Sequence, residues 1–352
     1  MNNEKTKNAI LNHFKRYPKM QLQDLFKFLH QSSFGCEHFV SSQERALEYL
    51  KKEALGVRKN SKVKIDKLDG DFSRLPLGYL TRGLSVETLA KLFFLSAQEQ
   101  VDGQEKLQEK LNVALQLIKE KALPFDESEF LQAKERWKQF NFSAVHHSHE
   151  FRKLYTPSYR VVNNYFITYL PLFTAIDKLI KNTNVVLAIE GGCASGKTTL
   201  TNVLQQIYDC AVFHVDDFFL QPHQRTEKRL SEVGGNFDRE RLMQEVLIPL
   251  KENQTIKFRK FDCSTNALSD YIIQERKPLT VIEGVYSMHP ELSHAYDISL
   301  FLSVSKKLQK SRILKRNPKL ATTFFKKWIP LENAYFTQTN AKNRCDLVIK
   351  IK

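Results

Sequence analysis

Two adjoining segments, Val185-Val186-Leu187-Ala188-Ile189 and Gly191-Gly192-Cys193-Ala194-Ser195-Gly196-Lys197-Thr198-Thr199, decide how this chain is read. The first is a continuous apolar run, as expected of a strand buried on both faces of a parallel sheet. The second fits G-x-x-x-x-G-K-T. Beyond it, Leu200, Val203, Leu204 and Ile207 recur at helical spacing. Strand, glycine loop and helix in that order let successive backbone N–H groups turn toward a phosphate, and the helix N-terminus adds partial positive charge. Gly191 through Thr199 are therefore the expected nucleoside-triphosphate site. Lys197 is expected to reach the outer phosphates and the Thr198 hydroxyl to hold magnesium, so the expected cofactors are ATP and Mg²⁺.

After this segment, strands and helices alternate. Ala211–Val215, Leu279–Ile282, Ile298–Leu302 and Leu347–Ile349 read as buried strands, with helical patterns over Arg239–Leu250 and Lys306–Lys315. That alternation predicts an α/β fold with a doubly wound parallel sheet over 184–352, its ligands beyond the carboxyl ends of the strands.

The preceding part reads as mostly α-helical over 1–162. Leu22, Leu25, Phe26 and Leu29 mark one helix, ending before Gly35. Ser41-Ser42-Gln43-Glu44 reads as a capping box that opens another, running to about Ala54 with Ala46, Leu47 and Leu50 inward. A lysine-rich section follows, with short strands expected at Val63–Leu68 and Leu77–Leu80. Ser85 then caps a helix that buries Leu89, Leu92 and Phe93. Two more helices are expected over Gln104–Lys121 and Asp126–Phe140. Residues 163–183 form an expected connecting helix, kinked or started near Pro171, and its aromatic run Tyr165–Phe173 is expected to pack the two domains together.

The 352 residues are 42% hydrophobic and 26% charged, with a net charge of +15. The positive excess divides evenly about Thr183, +8 before it and +7 from there on. A uniform surplus points to a solvated lysine-rich surface, so a nucleic-acid partner is not expected. No apolar run approaches a membrane span, and Met1-Asn2-Asn3-Glu4-Lys5 carries no signal core. The five cysteines are scattered, with no Cys-x-x-Cys pair, which implies a reduced compartment, the cytosol.

Three sets of residues carry candidate chemistry. His214-Val215-Asp216-Asp217-Phe218-Phe219 ends the second strand with two carboxylates placed to take a proton from an acceptor hydroxyl. In extended backbone, Asp216 and Asp217 would point to opposite faces and do different jobs. Glu283 ends the third strand, where a carboxylate can hold Mg²⁺, and Arg312 through Arg316 form a basic cluster able to close over a triphosphate. In the helical part, Phe34-Gly35-Cys36-Glu37-His38 and Val145-His146-His147-Ser148-His149-Glu150-Phe151-Arg152 are unusual, as is the following run to Val161. A metal site with His38 and His146 or His149, an anion site using Arg152 and Arg160, and ordinary hydrogen bonding are all open readings.

From about Val185 to Lys352 the sequence resembles the uridine kinase and phosphoribulokinase family of P-loop small-molecule kinases. The matching pieces run in order: Gly191–Thr199, Asp216–Phe219, Asn236-Phe237-Asp238, Glu283-Gly284, Arg312–Arg316 and Cys345–Ile349. Glu283–Pro290 and Trp328–Phe336 resemble a bacterial uridine kinase-like branch, and Phe34–His38 with His146–Val161 resemble a domain of unassigned function found with it. The resemblance implies Asp216 as catalytic base, assisted by Lys197, Arg312 and Arg316. It also implies Asp238 on acceptor hydroxyls and Thr198 and Glu283 at the magnesium, with Asp217 facing the magnesium shell or the following loop in a supporting role. Nucleoside kinases follow a Tyr-Asp-Phe segment with a base-reading histidine. Phe258-Arg259-Lys260-Phe261-Asp262-Cys263-Ser264-Thr265 has neither tyrosine nor histidine, so the implied reaction is phosphorylation of a hydroxyl on a small, ribose-bearing metabolite rather than of uridine in particular. The other readings are an ATP-binding switch acting through the helical domain and an NTPase or kinase acting on nucleic acid.

Overall fold

Two hydrophobic clusters, built from residues before and after Pro171 in sequence, divide the chain into units Met1–Leu170 and Pro171–Lys352. The structure is a computed structural model that describes residues 3–36, 40, 42–98 and 102–351. No helix among the described residues is long and apolar enough to cross a membrane.

The first unit opens with α1 (Asn3–Arg16), α2 (Leu22–Phe34) and α3 (Gln43–Ala54). Ser42 caps α3 by accepting a hydrogen bond from the Arg45 N–H at 3.2 Å, one residue later than a cap at Ser41 would place it. Strands β1 (Asp66–Lys67) and β2 (Phe72–Pro76) follow, then α4 (Val86–Gln98), α5 (Gln104–Lys119), α6 (Glu127–Gln139) and α7 (His149–Tyr155). Ser85 caps α4 as expected, and Asp126, read as the first residue of a helix, is instead the cap of α6. Strand β3 (Tyr159–Asn163) pairs antiparallel with β2, and β2 with β1, so a three-stranded sheet accompanies the helices.

This sheet corrects the expected strands. Leu77–Arg82 is a 3₁₀ turn, and the central strand is Phe72–Pro76, buried at every position. Its polar Ser73 and Arg74 interrupt the apolar pattern that would reveal it. Helix α8 (Asn164–Leu179) runs through Pro171 rather than starting there, and the boundary between units falls within it.

The second unit contains β4 (Val185–Glu190), α9 (Lys197–Ile207) and β5 (Cys210–His214). Small strands β6 (Ile256–Phe258), β7 (Phe261–Asp262), β8 (Ala267–Leu268) and β9 (Ile272–Gln274) follow, then β10 (Leu279–Glu283), β11 (Ile298–Val304) and β12 (Leu347–Ile351). Five strands form one parallel sheet in the order β12-β11-β4-β10-β5, the α/β architecture expected. The antiparallel pairs β6–β9 and β7–β8 have no counterpart in the sequence reading. The helical pattern from Arg239 is interrupted by a π turn at Met243–Leu247.

Register places the site. Glu283 on β10 lies opposite Ile189 on β4 and His214 on β5. The segments that follow these three strands therefore leave the sheet at one level. The chain winds from β4 toward β5 on one side and later fills β11 and β12 on the other, making β4 the switch point of the sheet.

Candidate phosphoryl-transfer site

The glycine loop is packed tightly against the sheet. Gly191 has φ +148°, and a Cβ there would come within 2.6 Å of the Leu302 carbonyl on β11. Only glycine satisfies both the dihedral and the approach. Lys197, the first residue of α9, folds back so that its ammonium donates to the Gly191 carbonyl at 2.8 Å and the Gly192 carbonyl at 3.2 Å. Arg312, on the helix Lys306–Arg316, donates to the carbonyls of Ala194 (3.0 Å) and Ser195 (3.3 Å). Arg316 is exposed at the end of that helix.

Thr198 and Glu283 are brought together: the Thr198 hydroxyl donates to Glu283 Oε1 at 3.1 Å. His214 Nδ1 lies 2.6 Å from the same oxygen. Burial opposes ionisation of Glu283, but the His214 hydrogen bond and the Lys197 charge together hold its carboxyl below the ordinary value. The same hydrogen bond raises His214.

Asp216 and Asp217 do not lie in extended backbone. Val215–Phe218 is a 3₁₀ turn, anchored by the buried Val215 and Phe218, so the alternation expected for a strand does not apply. The turn nevertheless separates the two carboxylates. Asp216 faces solvent beside Lys197, Glu283 and His214; the surrounding protein desolvates its carboxyl and raises its pKa, the Glu283 charge adds to this, and Lys197 opposes it. Asp217 instead pairs with Lys260 at 3.0 Å. Gly284, at φ +152°, lets the end of β10 close on this turn, since a Cβ there would sit 2.5 Å from Val215 Cβ.

Asp238 is 2% exposed and sits directly beneath the turn, its N–H donating to the Phe218 carbonyl at 2.8 Å. Its carboxylate accepts the Arg241 N–H and Nε, both at 3.2 Å. Arg241 in turn donates to the Asp217 carbonyl at 3.1 Å and lies 4.6 Å from the Phe218 ring centroid. In this arrangement Asp238 supports the Asp216–Phe219 turn from below.

Two carboxylates at the loop had no role in the sequence reading. Glu190 is fully buried, accepting the Gly191 N–H at 2.8 Å, the Met288 N–H at 3.0 Å and the Tyr335 hydroxyl at 3.0 Å; burial pushes its carboxyl up to about 7. Glu332, on the helix Ile329–Thr339, accepts the Cys193 N–H at 3.0 Å, and burial raises it too. The signal available was position alone: Glu190 immediately precedes the first glycine of the motif. Lys197 thus favours the ionised form of four carboxylates: Glu190, Asp216, Glu283 and Glu332. Such an environment attracts further cations, and the Thr198 hydroxyl with the Glu283 carboxylate is a hard oxygen pair suited to Mg²⁺.

The histidine group of the first unit is dispersed. His147 is buried between Asp24 and Tyr159, whereas His149 is exposed beside Glu150. Arg160 is engaged by Glu53 through two 3.0 Å hydrogen bonds. Glu37 and His38 lie outside the described residues. Among the described residues no group of three or more His, Cys, Asp or Glu side chains could hold a metal ion.

No family model matches the chain. A curated relative, uridine kinase-like protein 4 of Arabidopsis thaliana, is 26% identical over 155 residues, covering 41% of this chain. The chain spans about a third of that relative's length, 32%. Among solved structures, a possible uridine kinase from Bacillus stearothermophilus is 23% identical and matches 51% of this chain and 99% of its own, with a TM-score of 0.36. A D-glycerate 3-kinase from Cryptococcus neoformans is 13% identical over 45% of this chain and 77% of its own, with a TM-score of 0.32. Over those 155 residues the chain is similar in sequence to a uridine kinase-like protein.

Proposed function

We propose that the second unit is a small-molecule kinase that transfers the γ-phosphoryl group of ATP to a hydroxyl of a small, ribose-bearing metabolite. The observation that carries the reading is the convergence of Lys197, Thr198, Asp216 and Glu283 at the carboxyl edge of one parallel sheet. The sequence likeness to a uridine kinase-like protein supports the same reaction class.

Each residue then has a role. The backbone N–H groups from Gly191 to Thr199 cradle the phosphates, and Lys197 swings from its carbonyl contacts to the outer ones. Thr198 and Glu283 would hold Mg²⁺, which when bound neutralises charge on the phosphates. Asp217, paired with Lys260, has a supporting place at most in that set. Asp216 takes the proton of the acceptor hydroxyl, whose oxygen attacks the γ-phosphorus as ADP leaves. Its raised pKa strengthens it as a base relative to an ordinary aspartate. Arg312, and Arg316 one turn on, balance charge on the transferring group. Asp238 keeps the base-bearing turn in place and contributes to the acceptor side through it.

The test is a panel of nucleosides, vitamins and sugars offered with Mg²⁺ and ATP, reading ADP release and the mass of the phosphorylated product. Acceptor-dependent ADP release with a product heavier by one phosphoryl group is expected. ATP consumption that no acceptor stimulates would favour the nucleotide-switch reading instead.

A further inference from the structure

The segment that leaves β10 contains an aromatic residue that the kinase reading does not use. Tyr286 has φ +79°, a left-handed backbone conformation that residues other than glycine rarely adopt. For a bulky side chain this conformation costs free energy, and strain of this kind collects where a side chain has a task. A short turn closes around it. The Ser287 N–H donates to the Gly284 carbonyl at 3.4 Å and the His289 N–H to the Tyr286 carbonyl at 2.9 Å.

Packing fixes where the ring lies. On one side Tyr286 meets Tyr335 edge-on, with ring centroids 4.8 Å apart. Tyr335 donates to Glu190, the residue before the glycine loop, and Glu332 on the same helix holds the Cys193 N–H of the loop. On the other side the ring stacks on Phe237, with centroids 6.4 Å apart. Phe237 pairs by a backbone bridge with Phe219, which directly follows the turn bearing Asp216. Gly284, two residues before Tyr286, closes on Val215 of that same turn. The ring is therefore wedged between the helix that grips the glycine loop and the turn that carries the base. Gly234 lies against it, since a Cβ there would come within 3.3 Å of the ring.

The hydroxyl is uncommitted. Tyr286 is 8% exposed, yet its O–H makes no hydrogen bond to any described residue. Burial raises its pKa, and the charges of Glu332, Glu190 and Asp216 raise it further, so the phenol keeps its proton. A phenol that keeps its proton beside three carboxylates is a hydrogen-bond donor. The acceptor hydroxyl gives its own proton to Asp216, and a donor on its oxygen would blunt the attack. The partner left for the phenol is the transferring group, whose γ-oxygens accept hydrogen bonds and pass between loop and base.

We propose that Tyr286 is a further catalytic residue of this site, its O–H donating to a γ-phosphoryl oxygen of the bound nucleotide. The proposal rests on the kinase reading. In the transfer step the bond from the acceptor oxygen to phosphorus forms, the bond from phosphorus to the ADP oxygen breaks, and the acceptor proton passes to Asp216. Tyr286 keeps its proton and holds the phosphoryl group for in-line attack.

The test reads binding rather than turnover. The full chain and its Tyr286→Phe variant are titrated by calorimetry with ADP and with the β,γ-imido analogue of ATP, each with Mg²⁺ and without acceptor. The substitution keeps the ring and its packing, and retained ADP binding reports that the variant folds. Tyr286→Phe should weaken binding of the ATP analogue about tenfold or more, the worth of a hydrogen bond to a charged group, and leave ADP affinity unchanged. Equal losses for the two nucleotides would make Tyr286 a support of the loop and overturn the proposal, as would no loss for either. A wild-type chain that binds neither nucleotide would instead remove the kinase reading, and the proposal with it.

Discussion

The glycine loop of the second unit and a buried polar cluster in the first are both made of charged groups held by backbone, yet they differ in how the chain delivers them. The loop takes its candidate binding groups from nine consecutive residues, Gly191–Thr199, and its carboxylates from the ends of strands fixed by one parallel register. The cluster gathers Asp24, Gln31, Asp66, Arg74, His147 and Tyr159 from a helix, strands and a loop by side-chain hydrogen bonds that span as many as 128 residues. Chemistry carried by consecutive backbone N–H groups leaves a motif; chemistry assembled from single side chains leaves only isolated polar residues in apolar surroundings.

The sharpest way to break this contrast is at Lys197. Because its ammonium is the cation shared by Glu190, Asp216, Glu283 and Glu332, Lys197→Ala should abolish phosphoryl transfer while the first unit keeps its stability. Steady-state ADP release and the unfolding of each unit, followed separately, would check both halves of that statement. Next in size is the Asp216–Asp217 pair. Asp216→Asn should slow turnover by about 10²–10⁴-fold with ATP binding retained. Asp217→Asn should cost much less, because its carboxylate is committed to Lys260. The reverse order in kcat would move the base by one residue.

On the other side of the contrast, Asp24 is the test. Asp24→Ala leaves the Ser148 N–H and His147 Nδ1 without their acceptor in the interior, and should destabilise the first unit by about 2–6 kcal/mol. Trp137 belongs to that unit's core, so its fluorescence in a Trp328→Phe background reports the loss. Turnover by the second unit should fall far less.

Glu190 gives a pH-dependent comparison. Folded, it keeps its proton up to about pH 7, whereas the ordinary value is 4.5, so folding takes up a proton between these limits. Stability of the second unit should therefore fall as pH rises from about 4.5 to 7, and Glu190→Gln should flatten that slope. A thermal midpoint with the same pH slope in wild type and variant would remove Glu190 as the cause. The smallest expected effect is Ser42→Ala, which removes the α3 cap and should cost about 1 kcal/mol in denaturant titration.

These particulars show what was legible. The parallel sheet could be read because Val185–Ile189, Leu279–Ile282 and Ile298–Leu302 are apolar without interruption, as doubly covered strands are. The strand Phe72–Pro76 could not, because Arg74 and Ser73 are buried there as polar groups with tertiary partners that no local pattern encodes. Asp216 was legible as a candidate at a strand end, but its 3₁₀ turn was not, since the turn depends on Val215 and Phe218 finding the core and on Arg241 gripping the carbonyls. Glu190 and Glu332 escaped for a related reason. Their roles come from backbone N–H groups of the loop, which one meets as a neighbour in sequence and the other only across 139 residues.

The central claim is that Asp216 serves transfer to an acceptor rather than ATP hydrolysis or signalling. Single-turnover transfer of the γ-phosphoryl label of ATP to the acceptor found in the panel, compared between wild type and Asp216→Asn, tests it most directly. The wild type is expected to give labelled, phosphorylated acceptor, and Asp216→Asn to form it about 10²–10⁴-fold more slowly with ATP affinity retained. Label appearing only as free phosphate, at equal rates in the two proteins and regardless of acceptor, would contradict that claim.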